Sequence, residues 1–425
     1  MKNNTVNFDY LLISSALHDS NEFERSVSGY IQSLNNYGGL RLKPDRIDTI
    51  NPLFYFVVTG GTEQKILELY EKRKINVSKE PVFLIAYPEN NSLPAALEVL
   101  ARLIQDGETG RIFFLHGPDD EQGINKMIEA AQFGETQKAL QFSRIGMAGN
   151  ASDWLVASNP HPEIVKNVWG PKIVHFETEN IFHQSKKYSD KAVNSVLSSF
   201  LNKAEKIIEP TKDELLESAS IYLAIKEIVK KENLNAFTLR CFDLVIKYKI
   251  TGCLALAKLN NDGIIAGCEG DIPSTLAMLW VKLLLDKNSW MANPAEIIVK
   301  ENSLWLAHCT IAPCMIDEFI IRSHFESGIG VGIQGEMEPQ NITLLRIGGE
   351  RLEKLWLAEG RITRPGFSDF RCRTQVKIKL SDKHDVGDLL KKPLGNHIVL
   401  IKGHHAHHLS KWHELTIKAY RTKVQ

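Results

Sequence analysis

The sequence predicts an α/β fold in which the last third of the chain changes to antiparallel β structure. Up to about residue 290, short continuous apolar runs alternate with segments of helical periodicity. Strands that are apolar on both faces and alternate with helices are typical of parallel sheets. Beyond residue 300, apolar and polar residues alternate between glycine-rich turns, which is typical of antiparallel strands. We therefore predict two doubly wound (Rossmann-like) α/β domains followed by a C-terminal antiparallel β-barrel-like domain.

The first predicted α/β domain covers residues 1–165. Its five strands are predicted from continuous apolar runs at residues 10–13, 54–58, 82–86, 112–115 and 144–147. Helical patterns lie between these runs, for example at residues 63–72 and 93–104. Strands that are joined through helices imply right-handed crossovers and a parallel sheet.

The second predicted α/β domain covers residues 166–290, and the β-rich domain covers residues 291–425. In the second domain a helix is predicted over residues 190–208, and the next helix begins at a cap-like Thr211 or Asp213. Its strands are predicted at residues 172–176, 237–242 and 264–266. The alternating strands of the third domain are predicted at residues 342–347, 351–357, 359–363 and 374–380.

The composition argues against nucleic-acid and membrane partners. Lys and Arg number 51, and so do Asp and Glu, so the chain has no net charge that would attract nucleic acid. No window approaches the roughly 18 apolar residues of a membrane span. The N-terminus lacks the basic start and long apolar core of a signal peptide, and the six scattered cysteines are typical of free thiols. We expect a soluble cytoplasmic protein.

Residues 263–313 carry the strongest functional signal. An apolar run ends at Glu269 and Asp271, which flank Gly270, and a helical pattern follows. Such acids can simply cap the helix and interact with its dipole, but the carboxyl end of a strand is also where α/β proteins place functional groups. Asn293 and His308 follow at the ends of later segments. Carboxylate, amide oxygen and imidazole together are ligands for a hard or borderline divalent metal.

This stretch resembles the L-fucose isomerase and L-arabinose isomerase superfamily, especially the shorter fucose-isomerase-like proteins. The motifs that carry the resemblance are Cys268-Glu269-Gly270-Asp271, Met291-Ala292-Asn293, His308 shortly before a Cys-Pro segment, and Gly395-Asn396-His397-Ile398. The resemblance extends from about residue 238 to the C-terminus, and to the N-terminal part only in its pattern. It implies that Glu269 binds manganese and works as an acid/base group, that His397 is the late metal-ligating histidine, and that the chain forms a homo-oligomer, a trimer or hexamer.

One departure from the superfamily pattern affects the mechanism. The superfamily places an acidic metal ligand, which is also the second acid/base group, at Ala292 or Asn293, and neither residue is acidic here. The carbonyl oxygen of an Asn side chain can hold a metal, but it cannot take up a proton at neutral pH. The metal site is therefore retained better than the two-carboxylate mechanism.

We interpret the chain as a metal-dependent aldose–ketose isomerase that acts on a monosaccharide, a pentose or 6-deoxyhexose such as L-fucose, L-arabinose or D-arabinose, through an enediolate. Glu269, Asn293 and His397 are predicted to hold Mn²⁺, with His308 as a ligand or a substrate contact. Glu269 is the predicted base, and Asp271 either supports the metal ligands or is the missing second carboxylate. The alternatives are a sugar epimerase or other enolising enzyme on the same site, and a non-catalytic sugar-binding homologue.

The segment at residues 146–155 contains further candidates for sugar contact. Asp153 and Trp154 suit sugar hydroxyls and C–H surfaces, although Trp154 could equally pack between domains. Arg240 follows a predicted strand and is interpreted as part of a surface ion pair more readily than as a substrate contact.

Three weaker candidates lie elsewhere in the sequence. The turn at residues 59–62 fits a tight strand-to-helix connection better than a phosphate or sugar site. His116 follows an apolar run and is interpreted as structural. His404 and His408 would share a helix face and could bind a metal, but we place His397 ahead of them as the metal ligand.

Overall fold

The computed structural model describes residues 7–15, 24–75, 77 and 80–417. The chain forms two compact units, one made of residues 1–139 and 411–425 and the other of residues 140–410. The candidate functional residues Glu269, His308 and His397 all belong to the second unit. The predicted domain boundaries at residues 165 and 290 stay predictions.

The first unit contains a parallel sheet of five strands, four of which match predicted apolar runs, whereas β2 was not predicted. Its strands are β1 (Phe8–Ile13), β2 (Gly39–Arg41), β3 (Leu53–Val57), β4 (Val82–Ala86) and β5 (Gly110–Phe114). They lie in the order β2-β1-β3-β4-β5, and each adjacent pair is parallel. The helices that follow these strands are α1 (Ser28–Asn36), α2 (Glu63–Lys74), α3 (Ser92–Gln105) and α4 (Glu121–Phe142).

Strand β3 shows why its apolar run does not alternate. Phe54 and Phe56 belong to an apolar cluster that includes residues of α1 and α4. Tyr55 and Val57 belong to a second cluster that includes residues of α2 and α3. Side chains of successive residues point to opposite faces of a sheet, so both faces of this sheet are covered and every position of β3 must be apolar.

The second unit begins with another parallel sheet. Its strands are β6 (Arg144–Ala148) and β7 (Lys172–Phe176), then, after the short β8 (Lys206–Ile207), β9 (Ala236–Leu239) and β10 (Ile265–Cys268). The sheet order is β10-β9-β6-β7, and β6 pairs with both β7 and β9. This differs from our grouping of residues 144–147 with the first domain, because pairing between strands distant in sequence leaves no local signal.

Within the described part of the second unit, seven helices precede the barrel, and the last of them, α11, follows the turn that contains Glu269. They are α5 (Pro162–Val168), α6 (Thr178–Ser185), α7 (Asp190–Leu201), α8 (Lys212–Lys231), α9 (Cys241–Tyr248), α10 (Cys253–Asn261) and α11 (Ile272–Leu285). Thr211 caps α8, because its side chain accepts from the backbone of Glu214 and the Glu214 side chain accepts from the backbone of Thr211. The predicted cap at Thr211 is therefore confirmed.

The rest of the second unit is dominated by a closed antiparallel barrel. The strands are β11 (Ser289–Ile298), β12 (Ser303–His308), β13 (Phe319–Arg322), β14 (Gly332–Gly335), β15 (Asn341–Gly348), β16 (Lys354–Pro365), β17 (Thr374–Leu380) and β18 (Ile398–Lys402), with helix α12 (Asp388–Lys391). The last helix, α13 (Ala406–Thr416), begins in the second unit, and its residues from Lys411 onwards belong to the first. The barrel closes in the order β11-β12-β17-β16-β15-β18. All six pairings are antiparallel, so the predicted β-barrel-like part is confirmed.

Two predicted elements have different bounds in the structure. The helix predicted over residues 190–208 ends at Leu201, and β8 instead pairs with β13. The strands predicted at residues 351–357 and 359–363 are one continuous strand, β16. It begins later than predicted, because the preceding turn, with Leu352 at φ 56°, extends to residue 353.

Two predictions about the whole chain concern membranes and cysteines. In the ranges that the structure describes, no helix has the length and hydropathy that a bilayer crossing needs. All six cysteines are free thiols, and those at positions 241 and 268 have their sulfur atoms 3.5 Å apart.

Candidate metal centre

The turn between β10 and α11 places Glu269 at the carboxyl end of a parallel strand. Glu269 has a φ of 62°, which is uncommon for a residue with a side chain. Gly270 continues the turn at φ 69°, and a Cβ atom there would lie 2.5 Å from the carbonyl oxygen of Asn150. The backbone N–H of Ser152 donates to the Glu269 carbonyl at 2.9 Å. Such backbone strain, held by close packing, is characteristic of functional sites.

His308 and His397 approach the Glu269 carboxylate from two barrel strands. His308 is the last residue of β12, and its Nε2 lies 3.8 Å from Glu269 Oε1. His397 immediately precedes β18, and its Nε2 lies 3.4 Å from the same oxygen. One ligand atom from each of the three residues lies within 4.8 Å of the others, and all three residues are buried. Among the described residues, no other three His, Cys, Asp or Glu side chains form such a group.

Two buried polar atoms in this part of the structure have no hydrogen-bond partner. They are His397 Nε2, whose 3.4 Å separation from Glu269 lacks hydrogen-bond alignment, and Asn293 Oδ1. Asn293 pairs with Ala307 on β12, and the preceding Ala292 pairs with Ile398 on β18, so β11 runs between the strand that ends at His308 and the strand that His397 precedes. Buried polar atoms normally have partners. The carboxylate and the two imidazoles of the cluster, one of which has an unpartnered nitrogen, therefore fit a divalent metal ion.

Asp271 supports His397 and does not belong to the three-residue cluster. It is fully buried and caps α11, since its Oδ1 accepts from the backbone N–H of Ser274 at 2.8 Å. Its Oδ2 lies 2.8 Å from His397 Nδ1 and 3.0 Å from Nη1 of Arg346. Metal-binding histidines commonly bond a carboxylate through the second ring nitrogen. Of the two roles we considered for Asp271, this geometry favours support of a metal ligand.

Burial and charge act in opposite directions on the ionisable groups of the cluster. Burial alone would raise the pKa of Glu269, but His308 and His397 offset this and hold that pKa well below its ordinary value. Burial would likewise raise the pKa of Asp271, which Arg346 and His397 lower to about 2. Burial alone would lower the pKa of His397, but Asp271 and Glu269 raise that pKa to about 9. The cluster without a cation is thus two carboxylates balanced by imidazolium and guanidinium groups.

Trp154 contacts the second oxygen of Glu269. Its indole N–H donates to Glu269 Oε2 at 2.6 Å, and its ring meets the edge of Phe242 at a centroid distance of 4.9 Å. The side chain is 49% exposed, so one face remains open to solvent. Asp153 is exposed and forms an ion pair with Arg240, as we expected for Arg240. Trp154 is therefore the member of this segment that reaches the cluster.

Sequence reasoning missed two residues of this region. Arg346 is 2% exposed and interrupts the apolar strand β15, and a lone charge in an apolar run was the available signal. The hydroxyl oxygen of Thr310 lies 3.0 Å from Nδ1 of His308. No signal in the sequence indicates this contact, because Thr310 resembles any threonine in a turn.

The weaker candidates do not join the cluster. The turn at residues 59–62 precedes α2 in the first unit, beside a cavity of about 440 Å³ lined by Thr59 and Asn91 among others. His116 is exposed in the same unit. His404 Nδ1 pairs with Glu359 Oε2 at 3.1 Å, and His404 and His408 are not part of a three-ligand group within the described part of the chain.

The fold and site together define a protein with parallel α/β sheets, a closed antiparallel barrel, and a buried carboxylate–imidazole cluster as a candidate metal centre. No family model matches the chain. The chain is similar to proteins named sulfoquinovose isomerase. It is 21% identical over 263 residues to the one from Clostridium sp. (strain MSTE9), covering 60% of this chain and 56% of that protein.

Two further relatives carry the same name. The one from Priestia megaterium (strain ATCC 12872 / QMB1551) is 21% identical over 274 residues, which cover 63% of this chain and 60% of the relative. The one from Alkalicoccus urumqiensis is 20% identical over 244 residues, which cover 55% of this chain and 54% of the relative. The chain thus matches little more than half the length of these curated relatives.

Proposed function

We propose that this chain is a metal-dependent aldose–ketose isomerase. The observation that carries the proposal is the buried group of Glu269, His308 and His397, whose ligand atoms lie within 4.8 Å of one another while His397 Nε2 has no hydrogen-bond partner. The name of the relatives, sulfoquinovose isomerase, supports the reaction class.

We infer a monosaccharide substrate, a pentose or a 6-deoxyhexose such as L-fucose, L-arabinose or D-arabinose. Sulfoquinovose, the sugar in the relatives' name, is a further candidate. A homo-oligomer, trimer or hexamer, and a cytoplasmic location stay predictions.

Glu269, His308 and His397 would hold the cation, with Asn293 Oδ1 as a fourth donor. A bound divalent cation, for which we propose Mn²⁺, would supply the positive charge that favours loss of a proton beside a carbonyl group. His308 donates to or accepts from Thr310 through Nδ1, which keeps its Nε2 towards Glu269. The protein thus orients one nitrogen of each histidine to the same point.

Glu269 is the proposed base. Its low pKa keeps it ionised at neutral pH, so it can accept the proton from carbon 2 of an open-chain aldose. The same carboxylate can return that proton to carbon 1 on the same face of the substrate. One carboxylate then serves both carbon atoms, which makes the amide at Asn293 compatible with isomerisation.

The proton that moves between the two substrate oxygens needs a second carrier. Asp271 is unsuited, because its oxygens already accept from Arg346, His397 and the backbone of Ser274. We propose that water carries this proton, since protons bound to oxygen exchange with water.

The test is a ketose-formation assay on pentoses, 6-deoxyhexoses and sulfoquinovose, with the metal content of the protein measured beforehand and Mn²⁺ either added or removed. We expect Mn²⁺-dependent turnover, which Glu269→Gln lowers by about 10²–10⁴-fold. Glu163→Gln, which changes an exposed glutamate of α5 in the same unit, is the matched control and should retain wild-type turnover. Metal-independent turnover, or full activity of Glu269→Gln, would refute the proposal.

The amide at Asn293 also supports a second candidate, epimerisation or another enolisation at the same site. Bound metal and exchange of the substrate's carbon-2 proton with solvent, without ketose formation, would establish that reaction. Saturable sugar binding without proton exchange would instead identify a non-catalytic sugar-binding protein.

A further inference from the structure

Arg346 is a buried arginine that donates hydrogen bonds to the start of α11, to Ser158 and, through Nε at 3.5 Å, to the carbonyl of Leu394. Its Nη1 donates to Asp271 Oδ2 at 3.0 Å and to Ser274 Oγ at 2.5 Å. Its Nη2 donates to Ser158 Oγ at 2.6 Å. Arg346 and Asp271 are 2% and 0% exposed, so solvent cannot replace either partner.

The contacts of Asp271 require that Nδ1 of His397 carry a hydrogen, whether the ring is neutral or protonated. The Arg346 guanidinium and the backbone N–H of Ser274 can only donate, so both require Asp271 as an acceptor. An acceptor at Oδ2 requires that His397 Nδ1, 2.8 Å away, be the donor. His397 Nε2, which lacks a hydrogen-bond partner and faces Glu269, is then the nitrogen available to a cation.

The chain next to His397 is shaped around the Arg346 guanidinium. Gly395 has a φ of 143°, and a Cβ atom there would lie 2.3 Å from Nη2 of Arg346. Gly395 therefore leaves room for the guanidinium two residues before the histidine. This close approach is independent of the hydrogen bonds and shows that the segment leading into β18 is built against Arg346.

We propose that Arg346 is a positioning residue that acts through Asp271 to present Nε2 of His397 to a metal ion. This inference rests on the proposed metal-dependent function. The rival explanation is that Arg346 only neutralises the buried Asp271 and anchors Ser158. A purely structural role would change stability without changing the metal site, so metal binding separates the two.

The experiment measures the Kd of Mn²⁺ alone by titration calorimetry for the wild type, Arg346→Met and Arg346→Lys, with Tm recorded for each. The matched control is Arg73→Met in the first unit, because Arg73 is also 2% exposed and also pairs with a glutamate, Glu80. We expect Arg346→Met to weaken Mn²⁺ binding by about 10–100-fold. Arg346→Lys should restore part of the affinity, since it keeps a donor and the charge. Arg73→Met should lower Tm but leave the Kd within twofold of the wild type.

A spectroscopic measurement reports on His397 itself. Electron spin-echo modulation of bound Mn²⁺ should show two histidine nitrogens in the wild type and in Arg73→Met, and one in Arg346→Met. Retention of both nitrogens together with a wild-type Kd in Arg346→Met would overturn the proposal while leaving the metal site intact. A wild type that takes up no Mn²⁺ would overturn the metal-dependent function and this proposal together.

A further variant decides the matter if Arg346→Met does not fold. Gly395→Ala keeps every charged and hydrogen-bonding side chain but pushes a methyl group against Arg346 Nη2. We expect weaker Mn²⁺ binding in Gly395→Ala and in Arg346→Lys. A wild-type Kd in both variants would contradict the role of Arg346.

Discussion

The hydrogen bond between Trp154 and Glu269 can be removed with little change in shape. Trp154→Phe keeps an aromatic ring for the edge contact with Phe242 but deletes the indole N–H that donates to Glu269 Oε2 at 2.6 Å. A hydrogen bond to a charged group contributes about 1.5–3 kcal/mol. Because Trp154 is 49% exposed, water can replace part of this bond, which places the loss near 1.5 kcal/mol. That free energy corresponds to about tenfold in rate.

The assay is ketose formation at saturating Mn²⁺, and we expect kcat/KM of Trp154→Phe to fall about tenfold. The Kd of Mn²⁺ should stay near that of the wild type, because Trp154 contacts Oε2 whereas the histidines face Oε1. Phe242→Leu is the control, since it removes the ring contact and keeps the N–H donor. Wild-type kcat/KM in Trp154→Phe together with a loss in Phe242→Leu would show that ring packing matters and the hydrogen bond does not.

Three further predictions concern the turn, the cation and a helix cap. Gly270→Ala should lower Tm and abolish turnover, because its Cβ atom would lie 2.5 Å from the Asn150 carbonyl at a φ of 69°; unchanged thermal denaturation and activity would contradict this. Removal of metal by a chelator should lower Tm, since a cation at 100 times its Kd stabilises the fold by about 2.7 kcal/mol; scanning calorimetry with and without Mn²⁺ checks it. Thr211→Ala removes the capping box with Glu214 and should cost about 1 kcal/mol, measured by urea unfolding, without altering the Kd of Mn²⁺.

Local patterns account for the parts of the fold that the sequence predicts well. Phe54 to Val57 supply alternate side chains to two apolar clusters, so a buried parallel strand is visible as an uninterrupted apolar run. The barrel strands, such as β17, show the opposite pattern because one face is more exposed. Which strands pair with each other cannot be predicted from such local patterns. Residues 145–148 pair with Ala236 to Leu239, and nothing in either segment specifies the other.

The same contrast holds for the candidate site. Glu269, His308 and His397 are predictable because each lies beside an apolar segment, the first two after it and His397 before it, and matches a superfamily motif, although their roles as ligands stay predictions. The bond between Trp154 and Glu269 and the contact of Arg346 with Asp271 join segments far apart in sequence. Such contacts depend on how the sheet and the barrel pack, which no local pattern encodes.

The order of the three cluster residues along the chain has a consequence for biosynthesis. Glu269 follows a strand of the parallel sheet, whereas His308 ends β12 and His397 precedes β18, and these two strands flank β11 only when the barrel closes through β18. While the ribosome is still making the segment before His397, a nascent chain offers at most part of the ligand set. Loading of the proposed cation would therefore be a late event, and the metal content of a preparation would then report how many molecules have completed the barrel.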